Sequence, residues 1–194
     1  MKPYRTTISK EEVAKMPVEA YPGKIIVIDC PAQMEKAVKR LYSNRYVGFD
    51  TETRPNFSKY SNHKVALIQI ATDDICYLFR LNLLHGIPQP LEEFLKNEQV
   101  MKIGLSLLDD FHSLRKLIPI ENQGYVDLQK IVPSFGIQEA SLQKIYAILF
   151  GKKISKRARL SNWETDKLTP PMQQYAALDA WACLRIYQYL NKIS

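Results

Sequence analysis

Two apolar runs, KVALIQIAT (64–72) and ICYLF (75–79), are separated by only two aspartates. Runs of this length and β-branched content read as strands, and so short a polar link makes them a hairpin. Upstream, KIIVID (24–29) and YVGFDTE (46–52) read as two more strands. Between them Pro31 opens a helix whose Met34, Ala37, Val38 and Leu41 share one face. After the hairpin the rhythm changes to helices alternating with short strands: helix 91–97, strand 100–104, helix 105–117, strand into helix over 124–132, and helix 141–151 closed by Gly151. Thr169-Pro170 then starts a last helix running to about Leu190. An antiparallel start followed by βαβ alternation predicts an α/β fold with one mixed central sheet flanked by helices. The order of strands in that sheet cannot be read from the pattern.

With 194 residues, 46% hydrophobic and 24% charged, the chain suits one globular domain. Residues 1–23 read as an N-terminal leader, with SKEE as a capping box and with Pro17 and Pro22 interrupting regular structure after it. Residues 24–194 read as the single domain. No apolar run has the length of a membrane span, and the first residues lack a secretory signal. Cys30, Cys76 and Cys183 form no C-x-x-C pair, which favours a reducing, intracellular and cytoplasmic setting. His63, His85 and His112 show no ligand spacing, so any metal would be held by oxygen. The formal charge of +7 suits a polyanionic partner. Part of it is concentrated in GKKISKRAR, where Lys152, Lys153, Lys156, Arg157 and Arg159 fall within one polar segment.

Acids occur at special spacing in three places. Asp50 and Glu52 share one face of a strand, about 6.6 Å apart along the backbone, and repel unless water or a cation compensates them. Alone, the pair is read first as an exposed strand end. Asp109 and Asp110 stand in the first turn of the 105–117 helix, where Ser106 as N-cap and Asp109 as its capping-box partner would leave Asp110 free. Asp179 lies inside an otherwise apolar helix, YAALDAWACLRIY, one turn after Tyr175, and a buried lone carboxylate is costly unless paired or metal-bound. Several carboxylates without His or Cys suit hard divalent cations such as Mg²⁺ or Mn²⁺.

FDTE in a strand, an Asp in the helix after K-x-G, and Y-x-x-x-D in a C-terminal helix resemble, in that order, the DEDD-type 3′–5′ exonucleases in their tyrosine variant. The likeness runs from about residue 24 to 190. It implies a ribonuclease H-like fold and a catalytic set of Asp50, Glu52, Asp110, Tyr175 and Asp179. Asp110 rather than Asp109 follows from the family register counted from Lys102. By the same resemblance Asp50 bridges two divalent cations, Glu52 and Asp179 complete the first, and Asp110 supports the second through water. Tyr175 orients the attacking water with Glu52. The implied activity is hydrolysis at the 3′ end of DNA or RNA, with no membrane partner; the alternative is a catalytically silent nucleic-acid-binding module of the same fold. Met172 departs from the family, which often has Gln there. No further nucleic-acid-binding domain is expected after residue 194, so substrate capture falls to this domain or to a partner. Phe57 is a candidate for stacking on a terminal base, and the five cations of 152–159 for phosphate contact. Leu67, Gln69 and Trp163 are expected to pack rather than to act, His112 to be a surface or packing residue, and Cys183 to be an inert buried thiol.

Overall fold

The hairpin strands are buried at every position, because helices cover both faces of the sheet they belong to. The computed structural model describes residues 4–55 and 64–193. In chain order it contains α1 (Lys10–Lys15), β1 (Lys24–Ile28), α2 (Pro31–Leu41), β2 (Tyr46–Thr53), β3 (Val65–Ala71), β4 (Ile75–Arg80), α3 (Gln89–Lys96), β5 (Met101–Gly104), α4 (Leu107–Leu114), β6 (Tyr125–Asp127), α5 (Leu128–Ile131), a 3-10 turn (Val132–Phe135), α6 (Leu142–Phe150) and α7 (Pro170–Asn191). The expected hairpin, the Pro31 helix with its four buried residues and the Gly151 stop are all present. Ser9 and Glu12 form the expected capping box.

The sheet order is β1-β4-β3-β2-β5-β6, and β3 alone runs against its neighbours. One face packs on α2, α3 and α4 through Val47, Phe49, Ile68, Ile70, Phe79 and Phe111. The other packs on α6 and α7 through Leu67, Leu78, Ile103, Tyr146 and the alanines of α7. Among the described residues no helix is long and apolar enough to cross a membrane.

The N-terminal segment is fastened to this body. Tyr21 is buried edge-on against Trp181, with ring centroids 5.8 Å apart. Glu19, also buried, accepts hydrogen bonds from Tyr146 at 2.8 Å, Arg185 at 2.9 Å and Lys152 at 3.0 Å. A buried carboxylate with three donors is well compensated.

The packing of α7 on β2 fixes the geometry of everything at the sheet's end. A Cβ on Gly48 would lie 1.9 Å from the Ala180 carbonyl oxygen and 2.6 Å from its carbon. Ala176, Ala177, Ala180 and Ala182 are fully or almost fully buried, so the helix lies nearly against the strand's backbone. Gly48→Ala cannot be absorbed by a side-chain rotation, since the obstructing atoms are backbone. It is expected to lower the unfolding free energy in urea by about 2–3 kcal/mol, the cost of overpacking a rigid site.

Candidate active site

Because strand residues alternate, Gly48, Asp50 and Glu52 face the same side, towards α7. On α7 the residue next to Ala180 is Asp179, so the contact that brings helix to strand also brings Asp179 to Asp50 and Glu52. One carboxylate oxygen from each of Asp50, Glu52 and Asp179 lies within 4.8 Å of the other two. Asp110 arrives from the opposite face, in the first turn of α4, and accepts a 2.5 Å hydrogen bond from the Thr51 hydroxyl. Tyr175 stands one turn before Asp179 and stacks on the fully buried Trp163, with centroids 6.1 Å apart and an angle of 27°.

Four carboxyls in one half-buried place hold their protons unusually tightly. Burial pushes Asp50 well above its ordinary range, and Asp110, Glu52 and Asp179 add to it. Glu52 is pushed up to about 9 by burial and by Asp179 and Asp110, with Arg159 opposing. Asp179 rises to about 7 by burial, against the pull of the Tyr175 hydroxyl and Lys156. Asp110 rises to about 6 by burial, with Thr51 opposing. Tyr175 is raised by burial and by Asp179, so its hydroxyl keeps its proton. Oδ1 of Asp179 is enclosed without a hydrogen-bond partner. An acid set with an orphaned oxygen and no His or Cys donor fits hard divalent cations.

The cations of 152–159 divide by direction. Lys156 and Arg159 line a cleft of about 350 Å³ with Ser106, Tyr175 and Asp179. Lys152 bonds to Glu19, and Lys153 donates to the Ala14 carbonyl, so both are engaged with the N-terminal segment. Arg157 lines a neighbouring pocket of about 600 Å³ with Val18, Met172 and Leu178. Met172 is buried, and the adjacent Gln173 donates to the Leu168 carbonyl at 2.9 Å. Phe57 lies outside the described residues. Leu67, Gln69 and Trp163 are fully buried as expected, although Gln69, paired on β3 with Asp50 of β2, leaves both amide atoms unpartnered.

The capping of α4 differs from expectation. Ser106 has φ 62° and makes no side-chain cap, because the left-handed backbone turns its hydroxyl away from the helix, and Asp109 is exposed. The carboxylate of Asp127 caps the helix instead, accepting from the backbone N–H of Ser106 at 2.9 Å and of Leu107 at 3.1 Å. It also accepts from Gln129 N–H at 2.9 Å, so one side chain caps both α4 and α5. Asp127 and Thr51 are the two positioning residues that sequence reasoning missed. An Asp directly ahead of a helix signals its own cap; its second partner is distant in sequence.

This geometry has two measurable consequences. Asp127→Ala is expected to cost about 1–2 kcal/mol in urea unfolding, the range of a lost cap. The clustered carboxyls bind protons more tightly folded than unfolded, so they favour the fold while protonated. That advantage disappears as pH rises past the ordinary carboxylate range and through about 6, about 7 and about 9 for Asp110, Asp179 and Glu52. Chelator-treated protein should therefore lose melting temperature from about pH 5 to about pH 9. Mn²⁺ should restore several degrees at the alkaline end, and Asp179→Asn should flatten the profile.

Comparison with known proteins identifies the family. The model of the 3′–5′ exonuclease family matches residues 25–194. The bifunctional 3′–5′ exonuclease/ATP-dependent helicase WRN of Mus musculus is 30% identical over an alignment of 187 residues that covers 92% of this chain and 13% of the mouse protein. A 3′–5′ exonuclease of Arabidopsis thaliana is 29% identical, over 97% of this chain and 71% of the plant protein. The chain thus spans only a small part of its mouse relative. The Nibbler EXO domain of Aedes aegypti superposes with a TM-score of 0.78 at 21% identity, covering 90% of this chain and 92% of that one. RNase D of Escherichia coli gives 0.76 at 19%, covering 87% and 44%. The family model and the mouse relative show that the chain, with its ribonuclease H-like mixed sheet, belongs to the DEDD-type 3′–5′ exonuclease family.

Proposed function

We propose that this chain is a metal-dependent exonuclease that shortens DNA or RNA from the 3′ end, releasing nucleoside 5′-monophosphates. The observation that carries this reading is the convergence of Asp50, Glu52 and Asp179 within 4.8 Å beside an unpartnered Asp179 oxygen. Two divalent cations, Mg²⁺ or Mn²⁺, fit the donor set: Asp50 would serve both, Glu52 and Asp179 one, and Asp110 the other through water. When bound, such a pair supplies a nucleophilic water near neutral pH and neutralises charge on the attacking and leaving oxygens.

The chain's own groups have distinct parts in this scheme. Tyr175 stays protonated and is held by Trp163, so it can orient a water beside Glu52. Lys156 and Arg159, at the mouth of the cleft, can receive the scissile phosphate and hold the terminal nucleotide in line. Thr51 fixes Asp110 from the far side of β2. The catalytic domain is read as residues 24–194, with 1–23 as an N-terminal leader segment. Its free cysteines are in keeping with a reducing, cytoplasmic setting.

Digestion of a 5′-labelled strand in Mn²⁺ tests the reading. Asp50→Asn and Asp179→Asn are each expected to lower the rate about a thousandfold, the several kcal/mol a bound ion supplies. Both variants should keep the fold by circular dichroism. Parent-like trimming by Asp50→Asn would remove the site assignment, and wild-type binding without any trimming would favour a silent binding module.

A further inference from the structure

A second cleft opens at the same end of the sheet as the acids. It holds about 730 Å³ and is lined by Lys64, Asn82, His85, Lys116 and Glu164 together with Val65 and Leu81. Its place is set by the strand register: Glu52 pairs with Leu67 on β3, and Leu67 with Arg80 at the end of β4. The cleft wall at Leu81 is therefore about two strand spacings from the acids, roughly 10 Å.

The lining is polar and carries positive charge. Lys64, His85 and Lys116 are exposed, and among the described residues neither lysine is in an ion pair. The acid on this wall, Glu164, is paired with Arg54 at 3.3 Å, and Arg54 directly follows β2. Cations thus run from the strand that carries Asp50 and Glu52 to the far side of the cleft. The space exceeds what one small anion would fill, and its polar lining does not suit an apolar ligand. A polyanion with regularly spaced charges fits both facts.

We propose that this cleft takes the phosphate backbone of the nucleic acid upstream of the scissile bond, with Lys64 and Lys116 each contacting a phosphate. This rests on the exonuclease reading above, and it adds a grip on the strand separate from the cations at Tyr175. Such contacts would hold the strand without reading its sequence.

The test is fluorescence anisotropy with labelled single-stranded DNA and, in parallel, RNA of the same sequence, in chelator and over a range of salt. For Lys64→Ala/Lys116→Ala the slope of log affinity against log salt is expected to be shallower by about 1.4, two phosphates at about 0.7 each for a single strand. Kd at low salt should rise about tenfold. Lys64→Arg/Lys116→Arg should keep the wild-type slope. A shallower slope on either nucleic acid, restored by the arginine pair, supports the proposal. An unchanged slope on both, or equal loss in the alanine and arginine pairs, overturns it. Wild-type digestion in Mn²⁺ is scored separately: if the wild type binds but never digests, the exonuclease reading fails while the slopes still judge the cleft.

Discussion

The carbonyl of Ala180 occupies the space where a side chain on Gly48 would have to be, and the site is built around that contact. A helix carrying larger residues would stand further from the strand, and Asp179 would no longer come within a few ångströms of Asp50 and Glu52. The small residues of α7 therefore do two things: they close the core over the sheet, and they set the spacing of three carboxylates. Trp163, stacked on Tyr175, and Thr51, bonded to Asp110, fix the remaining two members from either side.

That spacing is unfavourable by itself. Burial raises every carboxyl of the group, repulsion from the other acids raises Asp50 and Glu52 further, and among the described residues no cation pairs with them as closely as Arg185 and Lys152 pair with Glu19. The contrast between the two acidic places is informative. Glu19 is surrounded by donors and stabilises the join between the N-terminal segment and α7, whereas the Asp50 group has acid neighbours and an unpartnered oxygen. A fold holds such a group only when its core is rigid enough to impose it. Here the two strands beside β2 and the helix above it supply that rigidity.

Much of this was legible in the chain. The period of the apolar runs gave the strands and helices, since burial on a strand or a helix face leaves a direct mark on residue order. Asp179 stood out because a carboxylate in an apolar helix has a cost that does not depend on where the helix lies. The cap of α4 was misread for the opposite reason. Ser106 has the right side chain for a cap, but its left-handed backbone aims it elsewhere, and Asp127, 21 residues on, takes the place. Likewise Lys152 and Lys156 look alike in sequence, yet one faces Glu19 and the other the acids.

The sequence by itself determined the α/β class, the elements, and Asp179 as a carboxylate out of place in an apolar helix, whereas Asp50, Glu52 and Asp110 stood out only through the family resemblance of their motifs. Local rules suffice for the first three, because periodicity and desolvation act on each residue whatever its distant neighbours. Only the tertiary structure decided the strand order, the approach of α7 to Gly48, the double cap at Asp127, and the cleft that joins Lys64 to Lys116 across 52 residues of chain. Those depend on which surfaces meet, and contact between distant segments is settled by packing and steric fit rather than by any pattern along the chain.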